Sequence, residues 1–297
     1  TIFATLLLVS LAPLVALGQA PGTAELAPSF LLRDFEKEEA DFNQSLPEGA
    51  VVVSEQTRER ARLERIRRRP TKSEYAFHLQ KNDRVVFLGD ALLEREQWYG
   101  HLETRLTVRY PRKQIRFRNL SWSGDTPTGR SRASFDWHKD ESAWFERIQQ
   151  PLETFSPTVI VLGYGMANSF DGLEGLDKFR ADLNLLIDRI GESLSENPPR
   201  FVLLGPIKHE NLGGDLPDPD DHNRVLYEYS TVISEVATER GAPFVNLYDW
   251  LGDGGEARIK RFHTENGIHL NEYGYSRLSD TYSTALGAEP ISWEVGL

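Results

Sequence analysis

Arg84-Val-Val-Phe-Leu-Gly-Asp-Ala91 is the stretch on which the reading of this chain turns. Its apolar part, Val85 to Leu88, is too short for a buried helix and is bounded by charge on one side and by a glycine on the other. Such a run reads as a strand covered on both faces, which a parallel sheet flanked by helices requires. The strand stops at Gly89-Asp90-Ala91, which turns the chain into an amphipathic stretch.

Working outward, the same unit repeats. Apolar runs at Val85–Leu88, Ile115–Leu120, Val159–Leu162, Phe201–Leu204 and Phe244–Leu247 alternate with longer stretches at Leu92–Val108, Trp137–Leu152, Leu173–Leu194, His222–Glu239 and Asn271–Leu286. Leu176, Phe179, Leu183, Leu186, Ile187 and Ile190 keep to one face of a helix, as do Tyr275, Leu278 and Tyr282. This alternation predicts an α/β fold, a three-layer α/β/α sandwich on a five-stranded parallel sheet. Ligands of such sheets sit beyond the carboxyl ends of the strands. That rule gathers Asp90, Ala91, Ser121 to Asp125, Tyr164 to Asn168 and the segment before the last helix into one site.

Composition narrows the class of partner. The 297 residues, 39% of them hydrophobic, suffice for one good-sized core and an appendage. A formal charge of -11 argues against a nucleic-acid partner, and the basic cluster Arg58 to Arg69, interleaved with Glu59 and Glu64, reads as a solvated helix. There is no cysteine, which excludes disulfides and thiolate metal sites. Ile2 to Gly18 is nearly all apolar and Gly18-Gln19-Ala20 has the small-x-small form of a cleavage site, so residues 1–20 read as an export signal. The run is short for a membrane span, although an uncleaved anchor is the rival reading. The expectation is a secreted or periplasmic bacterial protein with no membrane contact after cleavage. Residues 21–81 read as a polar linker and charged helical extension, 82–286 as the main domain, and 287–297 as a tail whose apolar Ile291–Leu297 points to a further domain.

The strand-end segments carry a resemblance. Gly89-Asp90-Ala91, Asn119-Leu-Ser-Trp-Ser-Gly-Asp-Thr126, Gly165-Met166-Ala167-Asn168 and Glu265-Asn266-Gly267-Ile268-His269 resemble, in order, sequence blocks of the SGNH (GDSL) hydrolases. Those are esterases, lipases and carbohydrate deacetylases on a flavodoxin-like sheet, and the likeness spans about Asn82 to Leu286. It implies ester hydrolysis without a cofactor. In the family the first block supplies a nucleophilic serine, the second and third a glycine and an asparagine for the oxyanion hole, and the fifth an Asp-x-x-His. Carried onto this chain, Ala91 stands at the nucleophile position with the serine absent, and Gly124 stands at the oxyanion glycine. Ala167 takes the asparagine position, leaving Asn168 as a donor displaced by one residue. His269 is the base, and Asn266 replaces the orienting aspartate with Glu265 beside it. Leu92-Leu93-Glu94-Arg95 resembles an exported bacterial branch that lacks the serine.

Each residue has a plainer reading. Asp90 stabilises its turn, or else serves as nucleophile or base. Trp122 and Tyr164 stack on a ligand ring or simply pack. Ser121 and Ser123 are candidates for a displaced nucleophile, and Asp125 caps or turns. His209, His222 and His263 show no metal-ligand spacing, and Asp218, Asp220 and Asp221 read as a solvated loop. No metal site is expected. Two functions follow: an esterase-like protein acting on an acylated carbohydrate, impaired because Ala91 has no attacking oxygen, or a non-catalytic module binding a glycan or protein. A weaker third pairs Asp90 and Glu265 as a glycosidase-like acid and base.

Overall fold

The alternation within Val85–Leu88 has a direct structural meaning. The computed structural model describes residues 77–129, 131–132, 144–250 and 262–287, all within the compact unit Arg68–Leu297. The export signal, the charged extension up to residue 76 and the tail after 287 lie outside the described residues. Within them, β1 (Arg84–Gly89), β2 (Arg116–Asn119), β3 (Val159–Gly163), β4 (Arg200–Leu204) and β5 (Phe244–Val245) form a sheet of order β2-β1-β3-β4-β5. All four pairings are parallel. The helices are α1 (Ala91–Glu96), α2 (His101–Arg109), α3 (Glu146–Phe155), α4 (Met166–Ser169), α5 (Leu176–Ser193), α6 (Asp220–Glu239) and α7 (Glu272–Ala285).

Odd and even strand positions enter different layers. Val85, Phe87, Val159, Val161, Val202 and Leu204 pack with Leu102 and Leu106 of α2 and Leu278 and Tyr282 of α7. Val86, Leu88, Ile160, Leu162 and Leu203 pack with Leu152 of α3, Phe179, Leu183 and Leu186 of α5, and Ile233 and Val236 of α6. Both faces of the central strands are therefore dry, as the unbroken apolar runs require. Truncating one of these fully buried side chains to alanine costs roughly 2–5 kcal/mol. At the amino ends, Asp83 accepts two hydrogen bonds from Arg200 (2.9 and 2.7 Å) and one from Thr158 (2.7 Å), which ties the starts of β1, β3 and β4 together. The order reverses between β1 and β3, and the crevice for a ligand opens there.

The expected helix Leu92–Val108 is two helices. Gly100 adopts a left-handed conformation (φ 65°) between α1 and α2, which a glycine reaches without strain. Glu96 helps restart the chain: its Oε1 accepts from the Leu102 backbone N–H at 2.6 Å, capping α2. Its other oxygen has no partner and faces an apolar hollow lined by Leu93, Leu102, Tyr275, Leu278 and Tyr282. Burial pushes this carboxyl from 4.5 up to about 7. A carboxyl that holds its proton more tightly when folded favours folding at low pH, and that contribution is lost as pH rises from about 4.5 through about 7. Glu96→Gln keeps the cap and removes the titration. Urea unfolding at pH 5 and pH 8 is expected to show this variant gaining on the parent protein by on the order of 2 kcal/mol at the higher pH. An equal difference at both pH values would contradict it.

Candidate functional site

Two glycines set the geometry of the strand tips. Gly89 of β1 and Gly163 of β3 are register partners, and a Cβ on Gly89 would lie 2.1 Å from the Gly163 carbonyl oxygen. With no side chain there, the Asp90 N–H donates to Gly163 O at 2.9 Å, and the Trp122 N–H donates to Gly89 O at 3.0 Å. Three loops, after β1, β2 and β3, are thus laced together through the backbone.

Beyond these tips lies a hollow of about 310 Å³, measured out to bulk solvent. Its walls are Asp90, Ala91 and Leu92 from the first loop, Tyr164 and Met166 from the third, Gly205, Pro206 and Ile207 after β4, and Ile268 and His269 before α7. Ala91 and His269, more than 170 residues apart in sequence, share one pocket. The Ala91 position offers only a methyl group, and most of the remaining wall is apolar.

Asp90 caps α1 by accepting from the Leu92 N–H at 3.2 Å. It is buried, and burial pushes its carboxyl from 3.8 up to about 7, against hydrogen bonds from the backbone of Leu92, Ala167 and Met166. Tyr164 is buried beneath the hollow, and its hydroxyl is raised well above its ordinary value by desolvation.

His269 is held by Asn266 in a way that decides its protonation. The Asn266 Oδ1 accepts from the backbone N–H of His269 (2.9 Å) and of Ile268 (3.3 Å). Those two donors fix the carboxamide, so its N–H₂ faces His269 Nδ1 at 3.2 Å. An amide N–H donates; Nδ1 must accept. The proton of the neutral ring therefore sits on Nε2, the reverse of what a carboxylate at position 266 would impose. Desolvation, and then the charge of Arg95, lowers the imidazole below its usual value, while Glu265 and Glu94 pull the other way.

The remaining sequence candidates divide. Glu265 does not reach the ring: its carboxylate pairs with Arg95 at 3.0 Å, so it adds charge nearby without orienting the imidazole. Asn168 lies buried in α4 with its Oδ1 unpartnered, outside the lining of the hollow, and Met166 projects there instead. Gly124 (φ 71°) and Trp122 are exposed in the loop after β2 and also lie outside the lining. The Trp122 ring sits under the Arg132 guanidinium at 5.9 Å. Ser123 donates to Glu94 at 2.8 Å, and the buried Ser121 hydroxyl has no partner, but neither serine lines the hollow. Asp125 is ion-paired with Arg132 at 2.6 Å. Sequence reasoning missed Pro206 and Ile207; the only signal was that they follow closely on the tip of β4.

The GDSL-like lipase/acylhydrolase family matches residues 87–277. The chain belongs to that family. No curated protein matches it. Among solved structures this GDSL-like chain is similar to a putative GDSL-like lipase from Parabacteroides merdae, at 17% identity and TM-score 0.54, covering 72% of this chain and 100% of that one. It is similar also to a catalytic mutant of Axe2, an acetylxylan esterase from Geobacillus stearothermophilus, at 16% identity and TM-score 0.51, covering 72% and 98%. LAE5, an alpha/beta hydrolase from the metagenome of Lake Arreo, aligns at 16% identity and TM-score 0.53, covering 72% and 99%. At such identities these likenesses speak for the fold.

Restoring the family's carboxylate tests the arrangement around the ring. Asn266→Asp places a negative charge against Nδ1 and is expected to raise the His269 pKa by about one to two pH units. A proton NMR titration of the imidazole reads this directly. An unchanged midpoint would mean that residue 266 does not face the ring.

Proposed function

We propose that the hollow binds a short acyl group of an ester ligand, of the acylated-carbohydrate kind, and holds it without forming an acyl-enzyme. The observation that carries this reading is the pairing of Ala91 with an Asn266-locked His269 in one pocket. Serine-type acyl transfer needs a hydroxyl at the first position and a lone pair on Nε2 at the second. Here the first is a methyl group and the second carries hydrogen. A ring of this tautomer donates to a carbonyl or ester oxygen; it does not take a proton from a nucleophile. Where the acid of a Ser-His-Asp triad is replaced by the amide alone, the loss in turnover is about 10⁴.

Leu92, Met166, Pro206, Ile207 and Ile268 supply apolar contact for an acyl chain, and His269 supplies the polar contact. The acetylxylan esterases among the similar folds support an acylated sugar as the ligand class. The apolar segment Ile2–Gly18 supports a setting outside the cytoplasm.

A second reading is favoured by Asp90. A carboxyl near pH 7 in the wall of the pocket can take a proton from water as the water attacks the acyl carbonyl, then return it to the departing alkoxide. Such direct hydrolysis would be slow, near the roughly 10³–10⁴ over water that remains when a serine hydrolase loses its nucleophile.

Acetylated xylo-oligosaccharide and p-nitrophenyl acetate separate these readings. The natural chain is expected to bind the sugar ester in calorimetry while hydrolysing p-nitrophenyl acetate no faster than the residual range. The double variant Ala91→Ser with Asn266→Asp is expected to gain at least about a hundredfold. Fast turnover by the natural chain that Asp90→Asn abolishes would replace the binding reading with the hydrolytic one. Absence of binding together with an inert double variant would overturn both.

A further inference from the structure

We infer that His209 and His222 form a two-imidazole chelate for a borderline divalent cation such as Ni²⁺ or Zn²⁺, set beside the acyl pocket. The two Nδ1 atoms face each other at 3.0 Å, with the ring planes crossed at 82°. Nitrogens bound to one metal at about 2.0–2.1 Å stand about 3 Å apart when the angle at the metal is somewhat above 90°. Both rings are therefore already at chelating distance. Thirteen residues separate them in sequence, so no short motif announces the pair.

Their surroundings fix the rings. The Ser169 hydroxyl donates to the Met166 carbonyl at 2.7 Å, so its lone pair accepts from His222 Nε2 at 2.7 Å. That bond leaves the lone pair of His222 on Nδ1, the outer-shell arrangement that orients a metal-ligating histidine. The Phe170 ring lies against His222 at 4.6 Å between centroids. His209 is clamped through its backbone: Asn223 Oδ1 accepts from its N–H at 2.8 Å, and Asn223 Nδ2 donates to its carbonyl at 2.9 Å. Burial lowers the pKa of both imidazoles, which keeps them neutral.

Metal entry exchanges the Nδ1···Nδ1 hydrogen bond for two bonds to one cation, with the rings turning so that both lone pairs converge on it. Without metal, His209 Nδ1–H donates to His222 Nδ1. On binding, that proton moves to His209 Nε2 and the freed Nδ1 lone pair joins the metal, with no net proton released. No cluster of three histidine, cysteine or carboxylate ligands occurs among the described residues, so water fills the remaining positions. Imidazole pairs of this kind suit Ni²⁺, Cu²⁺ and Zn²⁺ over Mg²⁺ or Ca²⁺.

The place matters for the pocket. The chelate ties the segment after β4 to the first turn of α6, and that segment begins with Gly205, Pro206 and Ile207 of the pocket wall. The other edge of His209 abuts Gly267, where a Cβ would lie 2.6 Å from His209 Nε2. Gly267 immediately precedes Ile268 and His269. A bound cation would stiffen two walls of the hollow together.

Isothermal titration of the full chain, produced without a polyhistidine tag, with NiCl₂ or ZnCl₂ at pH 7.5 tests this. One cation per chain is expected, with His209→Gln and His222→Gln each weakening binding at least about tenfold and the double variant no weaker than either. Zn²⁺ should also move the imidazole NMR signals of His209 and His222 while leaving those of His101 and His269 in place, a readout that needs no substitution. Lack of saturable binding, affinity unchanged from the parent in either variant, or Zn²⁺ shifts centred on other histidines would overturn the inference.

Discussion

The contact between Gly89 and Gly163 is the constraint on which the rest depends. Backbone meets backbone at the tips of β1 and β3, closer than any side chain allows. That approach lets the Asp90 N–H reach across to β3 and the loop after β2 reach back to β1. A β-carbon on Gly163 would meet Leu93 of α1 at 2.7 Å, so α1 is seated against the same point. A larger residue at Gly89 must push the first and third loops apart, one at Gly163 must displace the Leu93 side chain, and the hollow lies between those loops. The site is thus a consequence of strand-tip packing more than of the residues that line it.

The chemistry follows from what stands on that frame. Fold and family are those of GDSL-like acylhydrolases, while the groups needed for attack are altered at two separate places. Ala91 removes the nucleophilic oxygen, and Asn266 reverses the ring that would have activated it. These changes agree with one another: without a hydroxyl to deprotonate, a base at His269 has no task, and in the function proposed above a donor there serves recognition instead. Asp90 remains the one titrating oxygen acid in the wall, with a carboxyl near neutrality because burial outweighs its backbone hydrogen bonds.

Much of this was legible in the sequence. The central strands were plain because residues on both faces are apolar, as Val85 through Leu88 show, and the convergence of Asp90, Ala91, Tyr164 and His269 followed from the rule for strand ends. Other features depend on geometry that spacing does not carry. Gly100 divided an apparently continuous helical stretch, because amphipathic spacing on either side of a glycine does not reveal its left-handed turn. Glu265 looked able to reach the imidazole from its place in the sequence; its partner Arg95, 170 residues away, decides otherwise. Asn168 fell two residues past Met166, which stands in the pocket wall, and two residues of a helix turn the side chain by about 200°. The pair His209 and His222 is joined by the fold and not by a motif.

The central claim is that the pocket meets its ligand with a hydrogen on His269 Nε2 and no oxygen at position 91. Nitrogen-15 NMR of the imidazole in the natural chain near pH 7.5 reads that hydrogen directly. The account predicts a neutral ring with Nε2 protonated and Nδ1 in the unprotonated range. Finding the proton on Nδ1, with Nε2 as the free lone pair, would contradict it and return His269 to the role of a base.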